Sequence, residues 1–280
     1  MEEKMNHPLQ KYFRGPINYT TCPGCGNGII SQAILWAIED LAIDFDQFAF
    51  VSGIGCSGWI PSPSYNTDVL HVTHGRAIAF ATGLKLATPD MKVIVTAGDG
   101  DTSAIGGNHF IHACRRNIDL TVICVNNQIY GMTGGQVAPS TPYHSKTTTT
   151  PYGSIERPFD LSQVAISAGA TMVARWTTFQ ARQLRKSIAK AILHTGFSFI
   201  EVISQCPVQY GKVIGKRNNA IDMLMDYKNR SINVKKVKEL SPDELKDKIV
   251  VGEFIEDKGI PELTQEIKRL RKEAASRCQK

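Results

Sequence analysis

Asp99 stands in a Gly98-Asp99-Gly100-Asp101 turn, and Asn127 closes an Asn126-Asn127 pair further along the chain. Carboxylate and amide oxygens are hard ligands that suit Mg²⁺. That ion takes one or two protein groups and completes its octahedron with waters and substrate phosphates. Gly98 and Gly100 allow a tight turn and a close approach of backbone to a phosphate. Thr102 and Ser103 stand where a helix should begin, and a helix N-terminus attracts anions. These residue types point to a Mg²⁺–diphosphate site. An acidic turn followed by an Asn turn is the plain alternative, because Gly, Asp and Asn are common turn residues.

Such a site needs its two halves brought together. Residues 93–97 and 120–125 are apolar runs of strand length, and Ile105, Phe110, Ile111, Ala113 and Cys114 between them give a partly helical spacing. The unit reads as βαβ with a right-handed crossover, so both strands end on one edge of a parallel sheet. Asp99 and Asn127 should then lie side by side at the carboxyl edge, where such sheets bind ligands.

The flanks continue the alternation. A lead-in over residues 1–20 is broken by Pro8 and Gly15-Pro16. A helix capped by Asn27 should run to about Asp40, with Ile30, Ala33, Ile34, Ala37 and Leu41 on one face. Strands are expected at 48–52, 69–72, 171–174 and 197–203, and helices at 77–87, 160–168 and 178–193. The fold class predicted is α/β, a mostly parallel sheet with helices on both faces. Residues 137–158 form a long Thr-, Pro- and Ser-rich loop, a lid or binding loop. Composition shifts near residue 213, which divides an α/β domain (1–212) from a C-terminal extension (213–280). In that extension 249–255 reads as a strand and 261–271 as a charged helix, a solvated or subunit-contacting arm.

Seven cysteines add a second chemistry. Cys22-Pro23-Gly24-Cys25 aims two thiolates at one point, which suits a metal or an iron–sulfur cluster. A thioredoxin-like motif is the rival, but it should follow a strand rather than coil. Cys56 and Cys206 each follow a strand end, which puts them on the edge of Asp99 and Asn127. Zinc and a cluster both remain open for these four, although structural zinc usually uses two compact paired knuckles. Cys114, Cys124 and Cys278 read as structural or free thiols. Gly53-Ile54-Gly55-Cys56-Ser57-Gly58 formally matches a dinucleotide fingerprint. Trp59-Ile60-Pro61-Ser62-Pro63 does not readily continue the helix which that fingerprint requires, so the loop reads better as glycine-rich backbone presenting Cys56. Thr73-His74-Gly75-Arg76 follows another strand, where a phosphate would need donors. A helix-start His and a solvated Arg are the plain alternative. His109 and His112 read as packing or surface residues.

Composition excludes several classes. Hydrophobic content of 42% and charged content of 21% are those of an ordinary globular protein. No apolar run approaches the ~20 residues that span a membrane, and the N-terminus lacks a secretory apolar core. A cytoplasmic protein is expected, in which disulfides are unfavoured. The net charge of +6 permits an acidic partner, but no nucleic-acid motif accompanies it.

The motifs GDGD (98–101) and VNNQIYG (125–131) resemble the diphosphate-binding motif of thiamin diphosphate enzymes. Together with CPGCG, GIGCSG, THGR, YGMTGGQ and SQCP, they resemble the β subunit of 2-oxoacid:ferredoxin oxidoreductases over about residues 15–212. GMTGGQ and the segments 158–176 and 196–207 look most like the 2-oxoglutarate branch. The resemblance implies oxidative decarboxylation of a 2-oxoacid with coenzyme A, giving acyl-CoA, CO₂ and reduced ferredoxin. It implies thiamin diphosphate held by Ile54, Gly55, Cys56, Ser57, Thr73, His74, Gly75, Arg76, Gly98, Asp99, Gly100, Asp101, Asn127, Gly131 and Met132. Mg²⁺ would be held by Asp99, Asn127 and the Ile129 carbonyl, and one 4Fe–4S cluster by Cys22, Cys25, Cys56 and Cys206. An α subunit would supply the activating carboxylate in a heterodimer. The cation for a second substrate carboxylate would sit on that subunit or at Lys146 or Arg157. Pyruvate or another 2-oxoacid as substrate, a non-redox thiamin decarboxylase or lyase, and a non-catalytic iron–sulfur scaffold are the competing readings.

Overall fold

The structure is a computed structural model that describes residues 7–17 and 20–278. Parts of the expected lead-in, residues 1–6 and 18–19, and the Cys278 side chain lie outside the described residues. Within the lead-in, Pro8–Tyr12 forms a 3₁₀ turn that buries Leu9 and Tyr12.

Eight strands form one sheet in the order β2-β1-β3-β4-β6-β5-β8-β7. They are β1 (Phe48–Ser52), β2 (Asp68–His71), β3 (Lys92–Gly98), β4 (Leu120–Asn126), β5 (Met172–Thr177), β6 (Phe197–Ile203), β7 (Ser231–Asn233) and β8 (Ile249–Glu256). The first six pair in parallel, while β8 adds antiparallel to β5 and carries β7 in parallel. The α/β class and the parallel sheet agree with the sequence reading.

Side chains alternate along a strand, and helices cover both faces. On β3, Ile94 joins the core beneath α1 (Gly26–Leu41), while Val93, Val95 and Ala97 join the opposite one. That second core packs under α2 (Ala77–Ala87) and α3 (Gly107–Arg116). Because both faces are covered, every residue of β1, β4, β5 and β6 is buried. This is why these strands read as apolar runs rather than as alternation. Phe110 of α3 is 4.7 Å, ring to ring, from Phe199 of β6. Its truncation to Ala would cost about 3–5 kcal/mol.

Residues beyond 213 are tied to this sheet. Asn117 ends α3 in the left-handed region (φ 48°), which Asn tolerates. Its side chain donates to the carbonyls of Ile260 and Pro261 at 3.2 and 3.1 Å. Three local expectations differ. Asn27 does not cap α1, because the helix opens two residues earlier, at Gly26, with Cys25 at the cap. Helix 178–193 begins as a 3₁₀ turn with its own Thr177/Gln180 capping box. The stretch after Gly100 enters as a π-type turn, Asp101–Ile105, before α3 begins.

Candidate functional site

β3 and β4 are neighbours in register, with Gly98 opposite Val125. Asp99 and Asn127 therefore leave the sheet beside each other at its carboxyl edge. They line one cavity of about 130 Å³ with Ile54, Gly55, Cys56, Ser57, His74, Gly98, Gly100, Asp101, Ile129, Gly131 and Met132. Those are sequence-predicted residues from four loops. Tyr130, Thr133 and Val125 complete the wall and were not among them. Tyr130 lies within the motif itself, so its spacing was the available signal. Thr73, Gly75 and Arg76 do not line the cavity. Arg76 instead donates to the Ile105 carbonyl and meets His109 Nε2, both at 3.1 Å.

The two acids of GDGD behave differently. Asp99 is buried, and burial pushes its carboxyl up to about 6, against the pull of the Ser140 hydroxyl that donates to it. No ion pair is found for it among the described residues. A buried carboxylate without a cation is unstable, so a bound divalent ion fits its surroundings. Asp101 is committed within the protein. Its Oδ1 accepts the Gly75 N–H at 2.6 Å and lies 2.7 Å from His74 Nδ1. Burial raises its pKa, and the Gly75 N–H and His74 oppose that. Asp101 thus ties the β3 loop to the β2 loop. Gly100 is needed for close approach, since a Cβ there would stand 2.2 Å from the Tyr130 ring.

On β4, Asn126 is anchored from below. Its Nδ2 donates to Glu201 Oε1 at 2.8 Å, and its Oδ1 accepts the Gln128 N–H at 3.2 Å. Glu201 is 1% exposed and also accepts from Ser162 and Arg175. Asn127 Oδ1 accepts the Ile129 N–H at 3.2 Å. The turn that presents Asn127 and Ile129 is therefore closed by side chains of its own pair.

Cys22, Cys25, Cys56 and Cys206 line a second cavity, of about 270 Å³. Asn27 Nδ2 donates to the Cys56 carbonyl at 2.8 Å and binds two of the cysteine loops together. Gln205 does the same for Cys206, donating to the Gly24 carbonyl at 3.2 Å. Burial pushes Cys25 up to about 12, with Cys206, Cys56 and Cys22 adding repulsion. Cys56 is raised to about 11, again by burial first and then by Cys206 and Cys22. All four cysteines thus face one cavity. Among the described residues, no three His, Cys, Asp or Glu groups form a site for a single ion. Cys114 and Cys124 are buried in α3 and β4, away from this cavity. The fingerprint-like loop opens no α-helix, because Cys56–Trp59 is a single 3₁₀ turn.

The two cavities share a wall, in which Cys56, Asn127, Gly131 and Met132 face both. A Cβ on Gly131 would stand 3.5 Å from Cys206 Sγ, 3.8 Å from Cys56 Sγ and 3.9 Å from Asn127 Nδ2. Lys146 and Arg157 line neither cavity.

Residues 53–202 match the sequence model of the thiamine pyrophosphate enzyme C-terminal TPP binding domain. The chain is 57% identical over 265 residues to the 2-oxoglutarate synthase subunit KorB of Methanocaldococcus jannaschii, covering 94% of this chain and 97% of that one. It is 39% identical to a 2-oxoacid:ferredoxin oxidoreductase β subunit of Sulfolobus sp, over 88% and 85% of the two chains. A solved 2-oxoglutarate:ferredoxin oxidoreductase from Magnetococcus marinus, with 2-oxoglutarate, coenzyme A and succinyl-CoA bound, superposes with a TM-score of 0.84. That structure is 31% identical, and the match covers 98% of this chain and 93% of that chain. No helix among the described residues is long and apolar enough to cross a membrane.

Proposed function

Since the chain belongs to the thiamine pyrophosphate-dependent β subunits of the 2-oxoacid:ferredoxin oxidoreductase family, we propose that it is the β subunit of a 2-oxoglutarate:ferredoxin oxidoreductase. The reaction is the oxidative decarboxylation of 2-oxoglutarate with coenzyme A to succinyl-CoA and CO₂, with electrons delivered to ferredoxin. The naming of the relatives and the ligands of the solved neighbour support the substrate. The single observation that carries the redox reading is the wall shared by the Asp99 and cysteine cavities.

Asp99, Asn127 and the Ile129 carbonyl hold Mg²⁺, and Ile54, Gly55, Ser57, His74, Gly98, Gly100, Gly131 and Met132 receive the diphosphate end of the cofactor. Cys22, Cys25, Cys56 and Cys206 hold a 4Fe–4S cluster. Thiamin diphosphate, when bound, supplies the carbanion chemistry, and the protein supplies orientation and electrostatics. Asp101 and His74 fix the β2 loop against the β3 loop, so the donors that meet the diphosphate are positioned before it arrives. Thr73, Gly75 and Arg76 act through this scaffold, since they stand outside the cavity.

The chain works with an α subunit. Among the described residues no Glu lines the Asp99 cavity, and the acids there, Asp99 and Asp101, are committed to metal and scaffold. The carboxylate that activates the aminopyrimidine therefore comes from the partner, as does the cation for the distal carboxylate of the substrate. A buried carboxylate needs such a partner, and no Lys or Arg among the described residues lines the cavity. Exposed Tyr143, Tyr152, Ile155 and Phe159 on the 137–160 stretch offer the partner an apolar face.

The test is kcat/KM of the αβ complex with 2-oxoglutarate and with pyruvate, using ferredoxin or a viologen as acceptor. A preference for 2-oxoglutarate of at least about tenfold is expected, since an unpaired recognition group is costly. A preference for pyruvate contradicts the substrate assignment.

A further inference from the structure

Ser140 and Thr141 stand near the start of the 137–158 loop and are buried, at 4% and 2% exposure. The Ser140 hydroxyl donates to Asp99 Oδ2. The Thr141 hydroxyl donates to the Gln128 carbonyl at 2.7 Å and accepts the Ala138 N–H at 2.8 Å. The Thr141 N–H returns to the Ala138 carbonyl at 2.9 Å, so the dipeptide sits in a turn closed twice. Gln128 lies between Asn127 and Ile129 and is left-handed (φ 64°). That conformation is uncommon for a residue other than glycine and persists only where its surroundings impose it. One dipeptide therefore grips the β3 loop and the β4 loop together.

Each bond removes a different freedom. The terminal torsion of an Asp side chain is soft. A hydroxyl bound to Oδ2 restrains that rotation and fixes which way the carboxylate faces. A hydrogen bond to an ionised acceptor is about twice as strong as a neutral one. The bond to the Gln128 carbonyl pins the peptide whose neighbours present the Asn127 side chain and the Ile129 carbonyl.

We propose that Ser140 and Thr141 are positioning residues for the Mg²⁺ site, Ser140 acting through Asp99 and Thr141 through Gln128. This rests on the assignment of Asp99 and Asn127 as metal ligands. The alternative is that the dipeptide only anchors its own loop.

The experiment uses the αβ complex with its cluster intact, freed of Mg²⁺ by chelation and saturated with thiamin diphosphate. Mg²⁺ is titrated by calorimetry, with kcat at saturating Mg²⁺ measured in parallel. Ser140→Ala should raise the Mg²⁺ Kd about tenfold, the worth of one hydrogen bond to a charged group. Ser140→Thr should recover most of the loss. Thr141→Val keeps the shape without the hydroxyl and should raise Kd about fivefold, as for a neutral hydrogen bond. Thr141→Ser should restore it, and kcat should stay within about twofold once Mg²⁺ is saturating. Asp99→Asn serves as the separating control. If it binds Mg²⁺ like the native complex, the metal assignment fails and takes this inference with it. If Asp99→Asn loses Mg²⁺ while Thr141→Val keeps the native Kd, the inference alone is overturned. The Thr141 pair decides this even where Ser140→Ala does not assemble.

Discussion

The Asp99 cavity is built on loops that leave two paired, neighbouring strands, whereas the cysteine cavity gathers its cysteines from loops that no such pairing joins. β3 and β4 deliver Asp99 and Asn127 in register, and Ser140, Asn126 and Glu201 hold their loops in place. Cys22 and Cys25 precede α1 in coil, while Cys56 and Cys206 come from the loops after β1 and β6. Both cavities hold acidic groups whose ionisation is disfavoured by loss of solvent, but to different degrees. Asp99 is raised to about 6, whereas Cys25 and Cys56 are raised to about 12 and 11. Near neutral pH the carboxylate is largely ionised with its geometry set. The thiols stay protonated until a metal replaces the proton. One site is thus organised by the fold before its metal, and the other by its metal.

The comparison breaks first at Asp99. Asp99→Ala should abolish thiamin diphosphate binding, a loss of more than about a hundredfold in affinity, as removal of a charged metal ligand demands. The iron content of the complex should stay native. Calorimetry and iron analysis on the same sample check both halves, and native cofactor affinity would remove the metal assignment.

Changing any of Cys22, Cys25, Cys56 or Cys206 to Ser should act the other way round. Iron content and ferredoxin reduction fall, thermal stability drops because metal binding is linked to folding, and protease cuts near residues 20–28 appear. Thiamin diphosphate binding persists within about tenfold, because the strand ends survive. Cys114→Ser and Cys124→Ser should leave iron unchanged, and equal iron loss in all six variants would contradict the assignment.

A smaller effect is expected at Glu201, beneath the Asn126 turn. Glu201→Gln leaves Arg175 facing an amide and breaks a buried pair, so stability should fall by about 3 kcal/mol. The affinity for Mg²⁺ should fall only several-fold, because Asn126 keeps an acceptor in the glutamine oxygen. A stability loss with native Mg²⁺ affinity would confine Glu201 to the core.

The sequence exposed strands where both faces are covered. β1 and β6 were legible to the residue as unbroken apolar runs. β5 reads short, because Arg175 interrupts its pattern. That guanidinium is buried and bonded to Glu201, a compensation no single-strand pattern reveals. β7 and the helix Ala220–Arg230 escaped notice because the strand is brief and the helix is polar on one side. In the site, residues carried by strand ends were legible, since topology alone brings Asp99 beside Asn127. Ser140 was not, because its contact with Asp99 depends on the path of a long loop. Arg76 looked like a phosphate donor but turns to His109 and the Ile105 carbonyl, a choice made by packing at the start of α2.

Cofactor stoichiometry on one anaerobically purified αβ sample tests most directly that both sites operate side by side in this chain. The expected result is one thiamin diphosphate and roughly four irons bound by this chain, with a broad band near ~400 nm that bleaches on adding 2-oxoglutarate and coenzyme A, as iron–sulfur reduction requires. Stoichiometric thiamin diphosphate with no iron bound to this chain would contradict it and mark a non-redox thiamin enzyme instead.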